Sequence, residues 1–367
     1  MGNGKRALEN PIDLTSLIAN FKDKNCFITG HTGFKGSWLV HLLRTLGANC
    51  YGYALNPTPN SHFLTSNTSS LTSSTFGDIR DRPRLLAAMS EAQPDFVFHL
   101  AAQPYVRESY LTPHETFEVN CMGSANFLEA SLNCKTRPVT SIITSDKCYE
   151  NTEKNYRYKE TDKLGGWDPY SASKACAEIL SHSFRRSFFV QRDQPLVSLR
   201  GGNVIGGGDW GQDRLFPDIV LSASNGSEIT LRNPNAVRPW QFILDVLSGY
   251  LAAAVYAKST RGLEISAFNI GPTIDNICTV AELTSMATIE WGSSVKHHQK
   301  QNETELHEAS LLSLDISLAL QKLDWAPRYN LVEAVRQTVL WYKQAATGAD
   351  MKEYTRKQIN QFLGINA

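Results

Sequence analysis

The chain has 367 residues, enough for one large α/β domain or two closely joined ones. Lys+Arg and Asp+Glu balance at 36 each, which excludes a global field for nucleic acid or an anionic membrane, so any anion site must be local. No run of about 18 apolar residues occurs, which speaks against a transmembrane helix. The seven cysteines (Cys26, Cys50, Cys121, Cys134, Cys148, Cys176, Cys278) never fall as C-x-x-C, so neither a disulfide framework nor a structural zinc site is expected. The opening Met1-Gly2-Asn3-Gly4-Lys5-Arg6 lacks an apolar signal core. Residues 1–17 read as a leader, and the expected compartment is the cytoplasm.

Asn25-Cys26-Phe27-Ile28-Thr29-Gly30 is a short apolar run that reaches a glycine, as a buried parallel strand does. A helical pattern follows from Ser37 to Leu46, with Leu39, Leu42, Leu43 and Leu46 on one stripe and Gly47 as its stop. Residues 50–55 read as a second strand, and the Ser/Thr/Asn/Pro-rich stretch 56–76 as a mobile loop. Asp95 to Leu100 is another buried strand, Thr116 to Leu132 a long helix, and Ser141 to Thr144 a strand. Leu196 to Arg200 leads into Gly201-Gly202-Asn203-Val204-Ile205-Gly206-Gly207-Gly208.

This alternation predicts an α/β protein, a Rossmann-type doubly wound parallel sheet with its sites at the strands' carboxyl ends. Residues 18–200 form the expected dinucleotide-binding domain. After residue 200 the alternation weakens, with short strands at 229–231 and 267–270 and helices at 277–290 and 331–345. Residues 201–350 read as a smaller mixed α/β substrate-binding part interleaved with the sheet, and 351–367 as a tail.

Gly30-x-x-Gly33-Phe34-x-Gly36 lies between a strand and a helix, the setting in which glycines let a backbone approach a pyrophosphate at a helix N-terminus. The second strand ends at Leu55-Asn56-Pro57 without the carboxylate that usually clamps the adenosine ribose. Asn56 can bond that ribose instead. With no arginine placed for a 2′-phosphate, NAD is the expected cofactor. Asp78 and Ile79 are candidates for the adenine, although Asp78 reads equally as a turn residue and Asp81 as a helix cap. His99 at a strand end reads as a packed, hydrogen-bonded histidine rather than a ligand.

Tyr170 and Lys174 stand four apart, on one helical face, behind the turn and helix start Asp168-Pro169. There an ammonium can lower a phenol pKa of about 10 and make the tyrosine a usable base. Ser145-Asp146-Lys147 follows directly on an apolar strand and adds a second acid/base couple, which simple alcohol oxidation does not need. Ser145 is placed to share a substrate hydrogen bond with Tyr170. Asn203, Arg214 and Arg238 are candidate ligands of a phosphorylated substrate, Arg238 backed by Pro239 and Trp240. For Arg214 a surface arginine is an even alternative, and His307-Glu308 is a weaker candidate still.

These stretches, with Leu100-Ala101-Ala102-Gln103-Pro104 and Arg232 to Gln241, resemble the extended short-chain dehydrogenase/reductase family over roughly residues 18–345. Within it they are similar to the nucleotide-sugar 4,6-dehydratases. The dTDP-glucose and GDP-mannose branches place glutamate where this chain has Lys147, so the resemblance implies a CDP-glucose substrate. It further implies that Tyr170 takes the C4 hydroxyl proton as hydride passes to NAD, Lys147 removes the C5 proton, and Asp146 protonates the departing C6 hydroxyl. Those roles demand a depressed lysine and a raised aspartate pKa, while Lys174 stays charged. Gly30, Gly33 and Gly36 would hold the pyrophosphate, Leu100, Ala101 and Ala102 would line the cofactor, and Gln103, Asn203 and Arg238 would meet the substrate. A homodimer or homotetramer is implied, with helices near 116–132 and 170–187 paired between subunits. A dehydratase of another nucleotide sugar, or an epimerase, is the competing reading.

Overall fold

The computed structural model describes residues 13–211, 214–262, 264–273, 276–292, 297–299 and 312–365. His307 and Glu308, and most of the leader, lie outside them. Five strands of the main sheet come early: β1 (Asn25–Thr29), β2 (Asn49–Ala54), β3 (Thr72–Phe76), β4 (Phe96–His99) and β5 (Val139–Ile143). Leu196–Gly201 and Ala267–Ile270 complete seven strands, in the order Ala267–Ile270, Leu196–Gly201, β5, β4, β1, β2, β3. Every neighbouring pair is parallel.

The chain winds outward from β1 in one direction and from β4 in the other. The crevice above the β1/β4 pair is therefore the switch point where such sheets bind ligands. All of β4 and β5 and four of the five residues of β1 are buried, the pattern of strands covered by helices on both faces. The helix Phe34–Thr45 lays Leu39, Leu42 and Leu43 into the core with the predicted stripe, and Gly47, at φ +86°, ends it.

The stretch 56–76 is a correction to the expected mobile loop. It contains a helical turn (His62–Thr65), a 3-10 turn (Thr68–Leu71) and β3, the edge strand paired along its length with β2. An edge strand that is half exposed needs no apolar run, so Thr72-Ser73-Ser74-Thr75 looks like a loop in sequence while pairing through its backbone. Buried His62 and Phe63 pin the turn before it.

Ala267–Ile270 is a second correction. It belongs to the main sheet, beside Leu196–Gly201, and not to the smaller part of the molecule. That smaller part holds a three-stranded sheet of Asn203–Ile205, Val237–Phe242 and Ile277–Thr279. It is tied to the sheet domain: the Trp38 indole donates to the Gly207 carbonyl at 2.9 Å. A Cβ on Gly207 would lie 2.0 Å from Trp341 of the helix Leu331–Ala346, so only glycine fits there. The segment after residue 350 carries a helix, Met351–Leu363, packed on Phe34–Thr45. Among the described residues no helix is long and apolar enough to cross a membrane.

Candidate active site

Gly30 leaves β1 at φ +75°, and a Cβ on it would sit 2.7 Å from the Ala101 nitrogen. A Cβ on Gly36 would lie 2.2 Å from the Gly30 carbonyl oxygen. Both glycines are thus required to close the loop against the end of β4, where Leu100, Ala101 and Ala102 run past it. The helix Phe34–Thr45 then starts at Gly33 with no capping side chain and no acidic residue in its first turn. Uncapped N–H groups at a glycine-lined helix start fit a pyrophosphate.

Asn56 is exposed just beyond β2 and makes no side-chain hydrogen bond among the described residues, so it is free to meet a ribose. The Asp78 carboxylate is already engaged by Arg80, at 2.7 Å, and that pairing lowers its pKa. Ile79 is buried against Gly123. Asp81 caps the helix Arg82–Ala92 through the Arg84 N–H. His99 is the packed histidine expected, bonded to Thr29 at 2.7 Å and Ser124 at 3.1 Å, with burial pushing its pKa down to about 3.

The strand β5 delivers Thr144, Ser145 and Asp146, all buried, into a short turn Asp146–Cys148. The Ser145 hydroxyl donates to Asp146 Oδ1 at 2.9 Å and accepts from the Lys147 N–H at 3.2 Å. Asp146 Oδ2 has no hydrogen-bond partner among the described residues although Asp146 is only 2 % exposed, so it is available to a ligand. Lys147 is partly buried, and its ammonium makes no hydrogen bond or ion pair among the described residues.

The turn packs on the helix Pro169–Phe184, which Asp168 caps by accepting from the Ser171 N–H at 2.9 Å. This start aims Tyr170 at Ser145. Burial pushes the phenol up to about 12, while the facing Ser145 hydroxyl and Arg214 pull it back. The direction is opposite to the expectation that Lys174 would lower it. Desolvation of a phenolate outweighs an ammonium that lies 5.9 Å from the ring centre. Lys174 is itself buried, which, with Lys35 nearby, lowers it to about 8.

Beneath these groups lies a network that reading the sequence missed. Glu178, two turns along the helix from Tyr170, accepts from Thr144 Oγ1 at 2.5 Å and Ser198 at 2.8 Å, and pairs with Arg200 at 2.7 Å. Arg200 also donates to the Tyr149 hydroxyl at 2.8 Å, and Tyr149 to Asn269 at 2.7 Å. The network clamps the catalytic helix to the end of β5. Asn120 does the same for the cofactor side. It sits in a π-turn (Glu118–Met122) within the helical stretch 113–133, and bonds both Gln103 and Ser173. Gln103 is held further by Thr116, so its amide is engaged within the protein. A glutamate eight residues beyond the tyrosine was the available signal for Glu178.

Asn203, Arg214 and Arg238, chosen separately from sequence, line one cleft of about 180 Å³ with Asp209 and Trp240. Arg238 is buried, whereas Arg214 is exposed and lies over the Tyr105 ring at 5.6 Å. Lys35 is a further residue of the site that the sequence reading passed over. Its ammonium faces Asp146, Asp209 and Arg214, and burial lowers it to about 8.

A switch-point crevice with a glycine loop, a Tyr-x-x-x-Lys helix and an added Asp-Lys couple define a nucleotide-sugar enzyme of the extended short-chain dehydrogenase/reductase class. Residues 27–338 match the family model described as GDP-mannose 4,6 dehydratase, and the chain belongs to that family. It is 41% identical over 351 residues to the CDP-glucose 4,6-dehydratase of Salmonella typhimurium, covering 94% of this chain and 97% of that one. The dTDP-glucose 4,6-dehydratase 1 of Escherichia coli is 26% identical over 72% of this chain and 77% of its own. An epimerase from Methanothermobacter thermautotrophicus shares the fold with a TM-score of 0.79 at 22% identity, over 94% of this chain and 97% of that one. The protein is accordingly a hydro-lyase.

Proposed function

We propose that the protein converts CDP-glucose to CDP-4-keto-6-deoxyglucose, with NAD as its cofactor. The observation that carries the reading is the Asp146-Lys147 couple at the end of β5, set against the helix that bears Tyr170 and Lys174. The 41% identity to a CDP-glucose 4,6-dehydratase supports the nucleotide, and the glycine loop with its uncapped helix supports the cofactor.

Bound NAD supplies the acceptor for the C4 hydride and the hydride returned to C6. Tyr170 takes the C4 hydroxyl proton, with Ser145 sharing that hydrogen bond. Its raised pKa makes it a poor base alone, so the Ser145 hydroxyl, helped by the Arg214 charge, is what brings the proton within reach. Once C4 is a ketone, Lys147 removes the C5 proton. Asp146 gives a proton to the departing C6 hydroxyl through the oxygen that has no hydrogen-bond partner among the described residues. Lys147 gives its proton back to C5 as C6 is reduced, so one water leaves and no net redox change remains. Asn203, Arg214 and Arg238 hold the diphosphate. An epimerase would have no use for Asp146 and Lys147.

The enzyme works in the cytoplasm as a homodimer or homotetramer. The exposed Met122 and Ile179 on the helical stretches 113–133 and 169–184 support such pairing, and a light-scattering mass equal to one chain would remove it. The activity is tested by product mass after incubation with CDP-, dTDP-, UDP- and GDP-sugars. Loss of one water from CDP-glucose, without net NADH, is expected. Water loss from a different sugar nucleotide alone would discard the substrate, and no water loss from any would discard the chemistry.

A further inference from the structure

Lys35 occupies the last gap of the glycine motif, between Phe34 and Gly36, in the first turn of the helix Phe34–Thr45. The residues after it, Gly36, Ser37 and Trp38, are buried, so a lysine stands where the helix is turning into the core. Its ammonium makes no hydrogen bond and no ion pair among the described residues. The charges facing it come from four other places in the chain. They are Asp146 in the turn after β5, Asp209 in the loop after Asn203–Ile205, Arg214 at the start of the helix Leu215–Asn225, and Lys174 in the helix Pro169–Phe184. Three cations thus meet two carboxylates, leaving a surplus of positive charge, and one of those carboxylates carries the unpartnered Asp146 Oδ2.

The neighbours belong to two parts of the site. Asp209 and Arg214 line the cleft with Asn203 and Arg238, whereas Asp146 and Lys174 belong to the catalytic groups. Lys35 faces groups of both sets. On a nucleotide sugar, the part between the nucleoside and the hexose is the diphosphate. The glycine loop from which Lys35 rises fits a second diphosphate, that of the dinucleotide.

We propose that Lys35 is a diphosphate-binding residue of this active site, an ammonium held unpaired at the junction of the cleft and the catalytic groups until an anionic ligand arrives. The inference rests on the nucleotide-sugar reading above and adds a contact to it. A compact ammonium on a flexible stem suits a point contact to phosphate. Its depressed pKa follows from burial and the nearby Arg214 charge, which outweigh Asp146 and Asp209, and a bound diphosphate would restore its proton.

The test is calorimetric titration of wild-type enzyme, Lys35→Met and Lys35→Arg with CDP and, separately, with NAD. Lys35→Met is expected to weaken CDP at least tenfold and NAD by less than twofold, with Lys35→Arg recovering most of the loss. Weakening of NAD with CDP unchanged would also support a diphosphate contact and assign it to the dinucleotide. The pH dependence separates a charge contact from a packing defect. CDP affinity of the wild type should be full below pH 8 and fall as pH rises through about 8, where Lys35 loses its proton. Lys174, also lowered to about 8, contributes to that fall, so Lys35→Met should flatten the fall without abolishing it. Wild-type affinities for both ligands in Lys35→Met would overturn the inference alone. Wild-type enzyme that binds neither CDP nor UDP, GDP or dTDP would overturn it together with the nucleotide-sugar reading.

Discussion

The floor of the site and its outer wall are built in opposite ways. The floor, from Thr144 to Lys147 and from Tyr170 to Glu178, rests on a buried chain of hydrogen bonds that runs through Arg200 and Tyr149 to Asn269. The wall, with Asn203, Arg214 and Arg238, lines an open cleft in the smaller part of the molecule, and Arg214 there is exposed. Proton transfer needs atoms held in hydrogen-bond reach of one another. Recognition of a nucleotide needs charge and shape, which a solvated arginine can supply without a rigid support. The difference teaches that chemistry here is secured by the sheet, while the choice of nucleotide sugar is left to side chains whose exchange disturbs little beneath them.

The sharpest test of the floor is Lys147→Met. Loss of elimination by a factor of about 10³ or more is expected, within the range for a general base, with NAD binding intact. Turnover at the wild-type rate would sink the assignment of Lys147 and leave the floor without its base. Glu178→Ala probes the support under it. Removing one partner of a buried ion pair should cost about 3–5 kcal/mol of stability, because the Arg200 charge is left uncompensated. Denaturant midpoints read that directly, and an unchanged midpoint would show that the network is not what holds the catalytic helix.

The wall should respond more gently. Arg238→Met is expected to raise KM for the nucleotide sugar about tenfold while kcat stays within about twofold, the signature of binding shared by ground and transition states. A fall in kcat alone would move Arg238 from the wall to the floor. Arg214→Ala, at an exposed position, should raise KM by about threefold or less, in line with the small worth of solvent-exposed charges. An effect larger than that of Arg238→Met would reverse the ranking and make the stacking of Arg214 on Tyr105 a main determinant of substrate choice.

Several parts of this arrangement were legible from residues alone. The glycine loop, the strand that ends in Ser145, and the helix start at Asp168-Pro169 are local events, governed by apolar periodicity and turn chemistry within a few residues. The apolar stripe of the helix Phe34–Thr45 falls in the same class. Chemistry could be attached to Tyr170, Lys174, Asp146 and Lys147 because spacing on one helix or one turn already implies a shared face. The wall residues Asn203, Arg214 and Arg238 line one cleft, a convergence that was not visible in the sequence.

What tertiary structure decided is what depends on partners far along the chain. β3 hides in a Ser/Thr-rich stretch because an edge strand is defined by backbone pairing with β2, not by its own hydrophobicity. Ala267–Ile270 joins the main sheet through register with Leu196–Gly201, some seventy positions earlier. The direction of the Tyr170 shift turned on desolvation, which overcame the neighbouring ammonium, and burial cannot be read from a helical spacing. Lys35 looks like an ordinary loop lysine until the fold closes Asp146, Asp209, Arg214 and Lys174 around it. The sequence by itself determined which local elements and reactive pairs exist. The folded chain decided which of them meet, because pairing register and loss of solvent are properties of the assembled whole.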